Sequence, residues 1–268
     1  MHNVTVLRRY GCRACDVAVT KYLLTIQFSG SAYCGFQVQK NALSVQYVMQ
    51  DALAHLYGSR LPVQGCSRTD AGVHALDFKL TFSDPGIAAR MQPTQIIQAL
   101  NALLPTDIAV LECKIVPVSF HVRYDVKQKT YEYLIWNAPI RNVFWTNGAW
   151  HIRPQLDVNA MQIGAQALVG THDFSSFTAT ALKKENKTRT ISAAEVQRQE
   201  NWVRFTVSGD GFLYHMVRIM AGTLVEIGFG RRDAGGIADI LSACDRRMAG
   251  RTAPACGLYL KKVYYDAT

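Results

Sequence analysis

From Tyr22 onward the chain moves between two hydrophobic rhythms. Tyr22 to Phe28 predicts a strand and Gly30 to Gln39 a loop. Ser44 then suits a helix N-cap, and Val45, Val48, Met49, Ala52, Leu53 and Leu56 recur at helical spacing as one apolar stripe. Leu61 to Cys66 predicts a short strand. His74 to Phe82 predicts another, half-buried, because Leu76, Phe78, Leu80 and Phe82 alternate with Asp77, Lys79 and Thr81. Pro93 to Leu103 fits a helix with proline in its first turn, and Ile108 to Val116 a strand. The order is strand, helix, strand, strand, helix, strand.

The second half repeats it. Thr130 to Trp136 predicts a strand, Val158 to Leu168 a helix, and Ser192 to Gln197 and Val203 to Val207 two strands. Leu213 to Ile227 predicts a helix with Leu213, Met216, Val217, Met220, Leu224 and Val225 buried. Gly228-Phe229-Gly230 is its stop. An extra helix near Ala234 to Ala243 precedes a closing strand, Tyr259 to Tyr265. Two βαββαβ units predict an α+β fold of two fused ferredoxin-like halves, with mainly antiparallel sheets meeting at a central cleft, a preferred ligand position. The expected divisions are a basic leader over 1–20, an N-terminal half over 21–118 and a C-terminal half over 119–268.

Charge narrows the partners. The 268 residues carry a formal net charge of +9, an excess that favours a polyanion, nucleic acid before an anionic membrane surface. A basic enzyme with no such partner is the plain alternative. With 49% hydrophobic and 18% charged residues, the chain can bury a core. No apolar run approaches a bilayer span, and Met1-His2-Asn3 does not begin a secretory signal, so a soluble, cytoplasmic protein is expected. Seven scattered cysteines are not a disulfide framework. Cys12-Arg13-Ala14-Cys15 has the spacing of half a zinc site, with no second pair downstream. Neither a full GxGxxG nor a Walker pattern is present, so no nucleotide cofactor is implied.

The densest chemistry lies in Cys66-Ser67-Arg68-Thr69-Asp70-Ala71-Gly72-Val73-His74-Ala75. An arginine and a carboxylate stand two positions apart in a small-residue turn just before a strand, where scaffolds hold reactive groups. Taken alone, an Asp before Ala-Gly is a turn-former that bonds its own backbone.

Further segments join this one in register. They are Gly30-Ser31 with Gly35-Phe36-Gln37, Ser44-Val45-Gln46, Phe120-His121-Val122-Arg123, Lys129-Thr130-Tyr131-Glu132-Tyr133 and His172-Asp173-Phe174-Ser175-Ser176-Phe177. Thr188-Arg189-Thr190-Ile191, Phe212 with His215-Met216-Val217-Arg218, and Thr252-Ala253-Pro254 with Gly257-Leu258 complete the set. From Tyr22 to Tyr265 the chain resembles the TruA-type tRNA pseudouridine synthases. The resemblance implies isomerisation of uridine to pseudouridine at uridines 38, 39 and 40 of the tRNA anticodon stem-loop. It implies tRNA as partner, a homodimer, and no metal or organic cofactor.

It also implies roles. Asp70 matches the essential aspartate, which attacks sugar or base or removes a sugar proton, and must be ionised to act. Arg218 matches the arginine paired with it, and an opposite charge nearby favours the ionised form. Tyr131 matches the tyrosine that stacks on the extruded base. Arg68 matches an arginine that fills the vacated stack and holds phosphate. Lys183, Lys184 and Arg189 belong to a basic run that would face RNA, although a bare charge run is also an ordinary solvated surface. His74 reads as a structural group, and Phe36, Phe174, Phe177 and Phe212 as packing.

The chain departs from the family pattern at Ser29 for Asp, Phe36 for Trp, Cys66-Ser67 for the Gly form, and Leu76-Asp77-Phe78 for a small-Gly-Gln stretch. These departures bear on target choice and not on Asp70, Tyr131 or Arg218. A non-catalytic RNA-binding protein of the same fold, a metal-dependent nucleic-acid enzyme using Cys12 and Cys15, and a plain basic domain are the competing readings.

Overall fold

A computed structural model describes residues 19–84, 86, 91–179 and 186–266. Among these residues ten strands form one mixed sheet, mostly antiparallel, packed with five α-helices. The first run is β1 (Thr20–Phe28), α1 (Val45–Tyr57), β2 (Gln64–Gly65), β3 (His74–Asp84), α2 (Pro93–Leu103) and β4 (Ile108–Val116). The second is β5 (Gln128–Asn137), β6 (Trp150–Ile152), α3 (Val158–Gln166), β7 (Gly170–Asp173), β8 (Thr188–Gln199), β9 (Trp202–Gly209), α4 (Met216–Gly228), α5 (Ile237–Ala243) and β10 (Leu258–Tyr264).

Local chemistry sets the boundaries. Ser44 Oγ accepts the Tyr47 N–H and opens α1. Asp157 does the same for Ala160 at α3. The 11 residues of α2 are those expected, with Pro93 first. α4 ends at Gly228, one residue past the expected Ile227, and begins at Met216 and not Leu213. Its first turn is pre-empted by His215, whose backbone is left-handed at φ 61°. The Leu61 to Cys66 strand contracts to two residues paired with β3. β6 and β7 are additions that their short lengths hid.

The sheet runs β4-β1-β3-β10-β5-β9-β8-β7. There are therefore not two sheets facing a gap: β3 and β10 join the runs in parallel, through His74–Tyr259 and Ala75–Leu260. Nor is β3 half-buried. Asp77, Lys79 and Thr81 are as buried as Phe78, Leu80 and Phe82, whereas Leu76 is 44% exposed. A polar ladder crosses four strands on that face. Asp77 Oδ2 accepts the Val263 N–H of β10 at 2.9 Å, and Asp77 Oδ1 meets Lys79 Nζ at 2.9 Å. Lys79 Nζ donates to Thr25 Oγ1 at 2.7 Å, and Thr25 Oγ1 donates to Glu112 Oε2 at 3.2 Å. Satisfied partners let these polar groups lie inside. Among the described residues no helix is long and apolar enough to cross a membrane.

Candidate active site

Asp70 sits on the loop between β2 and β3, where the Val73 N–H bonds the Asp70 carbonyl and closes a turn. The segment 30–37 supports that loop from behind. The Gly72 N–H donates to the Tyr33 carbonyl, and the Phe36 N–H to the Thr69 carbonyl. Gly35 allows this approach. Its φ is +83°, and a Cβ there would lie 2.4 Å from the Thr69 carbonyl oxygen.

Arg218 enters from the first turn of α4. Its Nη1 is 3.1 Å from Asp70 Oδ2, and its Nε donates to the Ala253 carbonyl at 2.8 Å. The Ala253 N–H returns a bond to the Arg218 carbonyl, so the strap after α5 and the helix fix the guanidinium between them. Both members of the pair are largely shielded, with side chains 15% and 18% exposed, which strengthens their attraction over that of a surface pair.

Tyr131 rises from β5 on the same cavity. Its hydroxyl is 3.3 Å from Ser67 Oγ, and its ring meets Phe212 edge-on at 5.0 Å. Burial, with smaller pushes from Cys66 and Asp70, raises its pKa well above the ordinary phenol value, so the phenol stays neutral. Two residues along β5, Lys129 Nζ donates to the Cys66 carbonyl at 2.9 Å. Burial lowers the Lys129 pKa and pushes the Cys66 thiol up to about 11.

These groups border a cavity of about 1250 Å³ at the seam between the two runs of elements. Arg68, Arg123, Lys129, Arg189 and Arg218 line it, against Asp70 as the one carboxylate among the described residues. Such a wall attracts a polyanion.

Asp70, Tyr131, Arg218, Arg68 and Arg189 are thus brought together. Arg68 is exposed at the rim, with no ion-pair partner among the described residues. Arg189 is tied back, its Nη1 donating to the Asn186 and Thr188 carbonyls. Lys183 and Lys184 lie outside the described residues, as do Cys12 and Cys15. His74 is buried as a structural group, its Nδ1 accepting the Gly30 N–H and its ring stacked on Tyr259. Phe36, Phe174 and Phe177 are core residues. Phe212 is more than packing, because it flanks Tyr131 on the cavity wall.

Sequence reasoning gave no task to His215, whose Nε2 is 3.5 Å from Asp70 Oδ2. Its only signal was a place three residues before Arg218. Ser67 and Lys129 were passed over as well, since only the fold brings β5 beside the 66–70 loop.

A family model described as tRNA pseudouridine synthase matches residues 24–125 and again residues 165–266. The tRNA pseudouridine synthase A of Ruminiclostridium cellulolyticum is 44% identical over 246 residues, 91% of this chain and 99% of that protein. That of Acetivibrio thermocellus is 42% identical over 243 residues, 90% of this chain and 98% of its own. That of Shouchella clausii is 44% identical over 241 residues, covering 90% of this chain and 91% of the relative.

Proposed function

This chain belongs to the tRNA pseudouridine synthase family and is an isomerase acting on tRNA uridine; we propose that Asp70, Tyr131 and Arg218 carry the reaction, and that its targets are uridines 38, 39 and 40 of the anticodon stem-loop. The observation that carries the assignment is the 3.1 Å pair between Asp70, from the first run of elements, and Arg218, from the second, beside Tyr131 in a cavity walled by cations.

The reaction breaks the bond from uracil N1 to the ribose C1′ and makes one from uracil C5. The hydrogen on C5 leaves as a proton, and N1 gains one. A base inside a stem cannot be reached, so the nucleotide must be swung out. The Tyr131 ring then offers it an aromatic face, and Asp70 supplies the ionised oxygen that attacks sugar or base or takes a sugar proton. Arg218 holds the carboxylate in place through its other oxygen, Oδ2. Arg68 and Arg189, with Lys183 and Lys184, grip phosphate, and Arg68 fills the vacated stack.

The division at 118/119 into two ferredoxin-like halves belongs to this reading. Its support is the order β4-β1-β3-β2 in one half and β10-β5-β9-β8 in the other, which is one order written twice, together with the double family match. A cytoplasmic homodimer is part of the reading too. Ile140, Val143 and Phe144, at 79%, 64% and 92% exposed, make the kind of apolar surface that a second subunit covers. Tritium release from tRNA labelled at uracil C5, followed by mapping of pseudouridine, tests the reaction and its positions. Release with pseudouridine at other positions would overturn the target assignment; no release would overturn the catalytic one.

A further inference from the structure

Two side chains converge on a single oxygen of Asp70. Arg218 Nη1 is 3.1 Å from Oδ2, and His215 Nε2 is 3.5 Å from the same atom. Oδ1 has no hydrogen-bond partner among the described residues, yet it is not among the buried orphaned atoms. Asp70 lines the cavity, so Oδ1 is the oxygen left to a ligand.

Helix architecture does not account for His215. As the residue before α4 its side chain makes no cap hydrogen bond, and Ser, Thr, Asp or Asn would cap better. Its backbone is left-handed, at φ 61° and ψ 5°, a conformation that side chains oppose and that gathers at functional sites. The turn brings the imidazole against the carboxylate. The Tyr214 ring stacks on it at 3.8 Å and 27° and fixes its plane. Burial lowers the imidazole pKa, and Arg218 and Arg246 add to that against the pull of Asp70. The ring is neutral at neutral pH and has one N–H to give.

We propose that His215 is a positioning residue for Asp70: its Nε2–H shares Oδ2 with Arg218 and so turns Oδ1 toward the reacting uridine. This rests on Asp70 being the reacting carboxylate. A neutral donor orients the oxygen without the second positive charge that would blunt it. This positioning requires the 3.5 Å separation to tighten to a hydrogen bond in the substrate complex, as catalytic contacts commonly do.

Two variants test this, in steady-state tritium release on C5-labelled tRNA with thermal unfolding alongside. His215→Gly removes the imidazole and accepts the left-handed backbone freely. His215→Gln keeps a neutral N–H donor at similar reach but still opposes that backbone. Positioning predicts that the glycine variant melts no lower than wild type, keeps its KM for tRNA within about twofold, and loses about 10–100-fold in kcat, the scale of a misaimed reacting group. The glutamine variant melts lower than the glycine variant and turns over faster. A purely structural role predicts that kcat follows thermal stability, with glycine ahead of glutamine. That ranking, or wild-type kcat in the glycine variant, overturns the inference. An active wild type with an equally active Asp70→Asn variant would instead overturn the reading of Asp70 itself.

Discussion

Asp70 and Arg218 do different work with their charges, and substitutions separate the two. Asp70→Asn keeps shape and one acceptor but has no charge to act with. Turnover should fall below detection in tritium release while tRNA binding, measured by filter retention, stays within about threefold, because the phosphate-facing cations are untouched. A fully active variant would remove Asp70 from the mechanism. Arg218 bonds both Asp70 Oδ2 and the Ala253 carbonyl, a span that a planar fork can bridge and a point ammonium cannot. Arg218→Lys should therefore lower kcat by at least about tenfold, since each 1.4 kcal/mol of lost transition-state stabilisation is tenfold in rate. A rate equal to wild type would show that charge alone suffices. Asp70 was legible because its motif is contiguous. Arg218 and Tyr131 were legible only through their place in a known pattern, since nothing in β5 or α4 alone distinguishes them from a strand tyrosine and a helix-surface arginine.

Elements with a strong period were readable to within a few residues. α1, α2 and β4 carry clear apolar patterns, and their ends have local causes such as the Ser44 cap and Pro93. The errors fall where tertiary partners override local signals. α4 starts late because the left-handed turn at His215 forbids helix before it. β6 and β7 have three and four residues, too few for a period to show. The loop segment 30–37 has no period either, yet it holds the Asp70 loop in place. Gly35→Ala tests that dependence. Its Cβ would lie 2.4 Å from the Thr69 carbonyl oxygen on a backbone at φ +83°, at a cost of about 1–3 kcal/mol. The melting temperature should drop, and kcat should drop by more than that of a surface Gly→Ala control. A variant as active and as stable as the control would show that the loop is free to shift without moving Asp70.

The whole molecule depends on one join. Asp70 belongs to the first run of elements and Tyr131 and Arg218 to the second, so their distances depend on how the two runs join, and β3 and β10 are the strands that pair across that join. That contact has just two parallel residue pairs. Asp77 reinforces it, accepting the Val263 N–H across the seam and pairing with Lys79 on its own strand. Alternation along β3 placed both charges toward solvent. It could not show that the reverse of the sheet is covered, since Tyr265, tilted against Phe120 and donating to the Val122 carbonyl, closes it from remote parts of the chain. The Asp77 and Lys79 side chains are only 10% and 11% exposed, so removing Asp77 leaves a buried ammonium with its hydrogen bond to Thr25 but without its close counter-charge. Asp77→Ala should cost about 3–5 kcal/mol, the scale for breaking a buried pair, and should lower kcat because the seam loses its cross-strand acceptor. Lys79→Met in that background removes the stranded ammonium. Stability should recover by a large part of the loss, whereas kcat should not, since the Val263 N–H still lacks its acceptor. Denaturant unfolding of both single variants and the double gives the coupling energy. If stability and kcat recover together, or if Asp77→Ala unfolds like wild type, the join does not rest on Asp77.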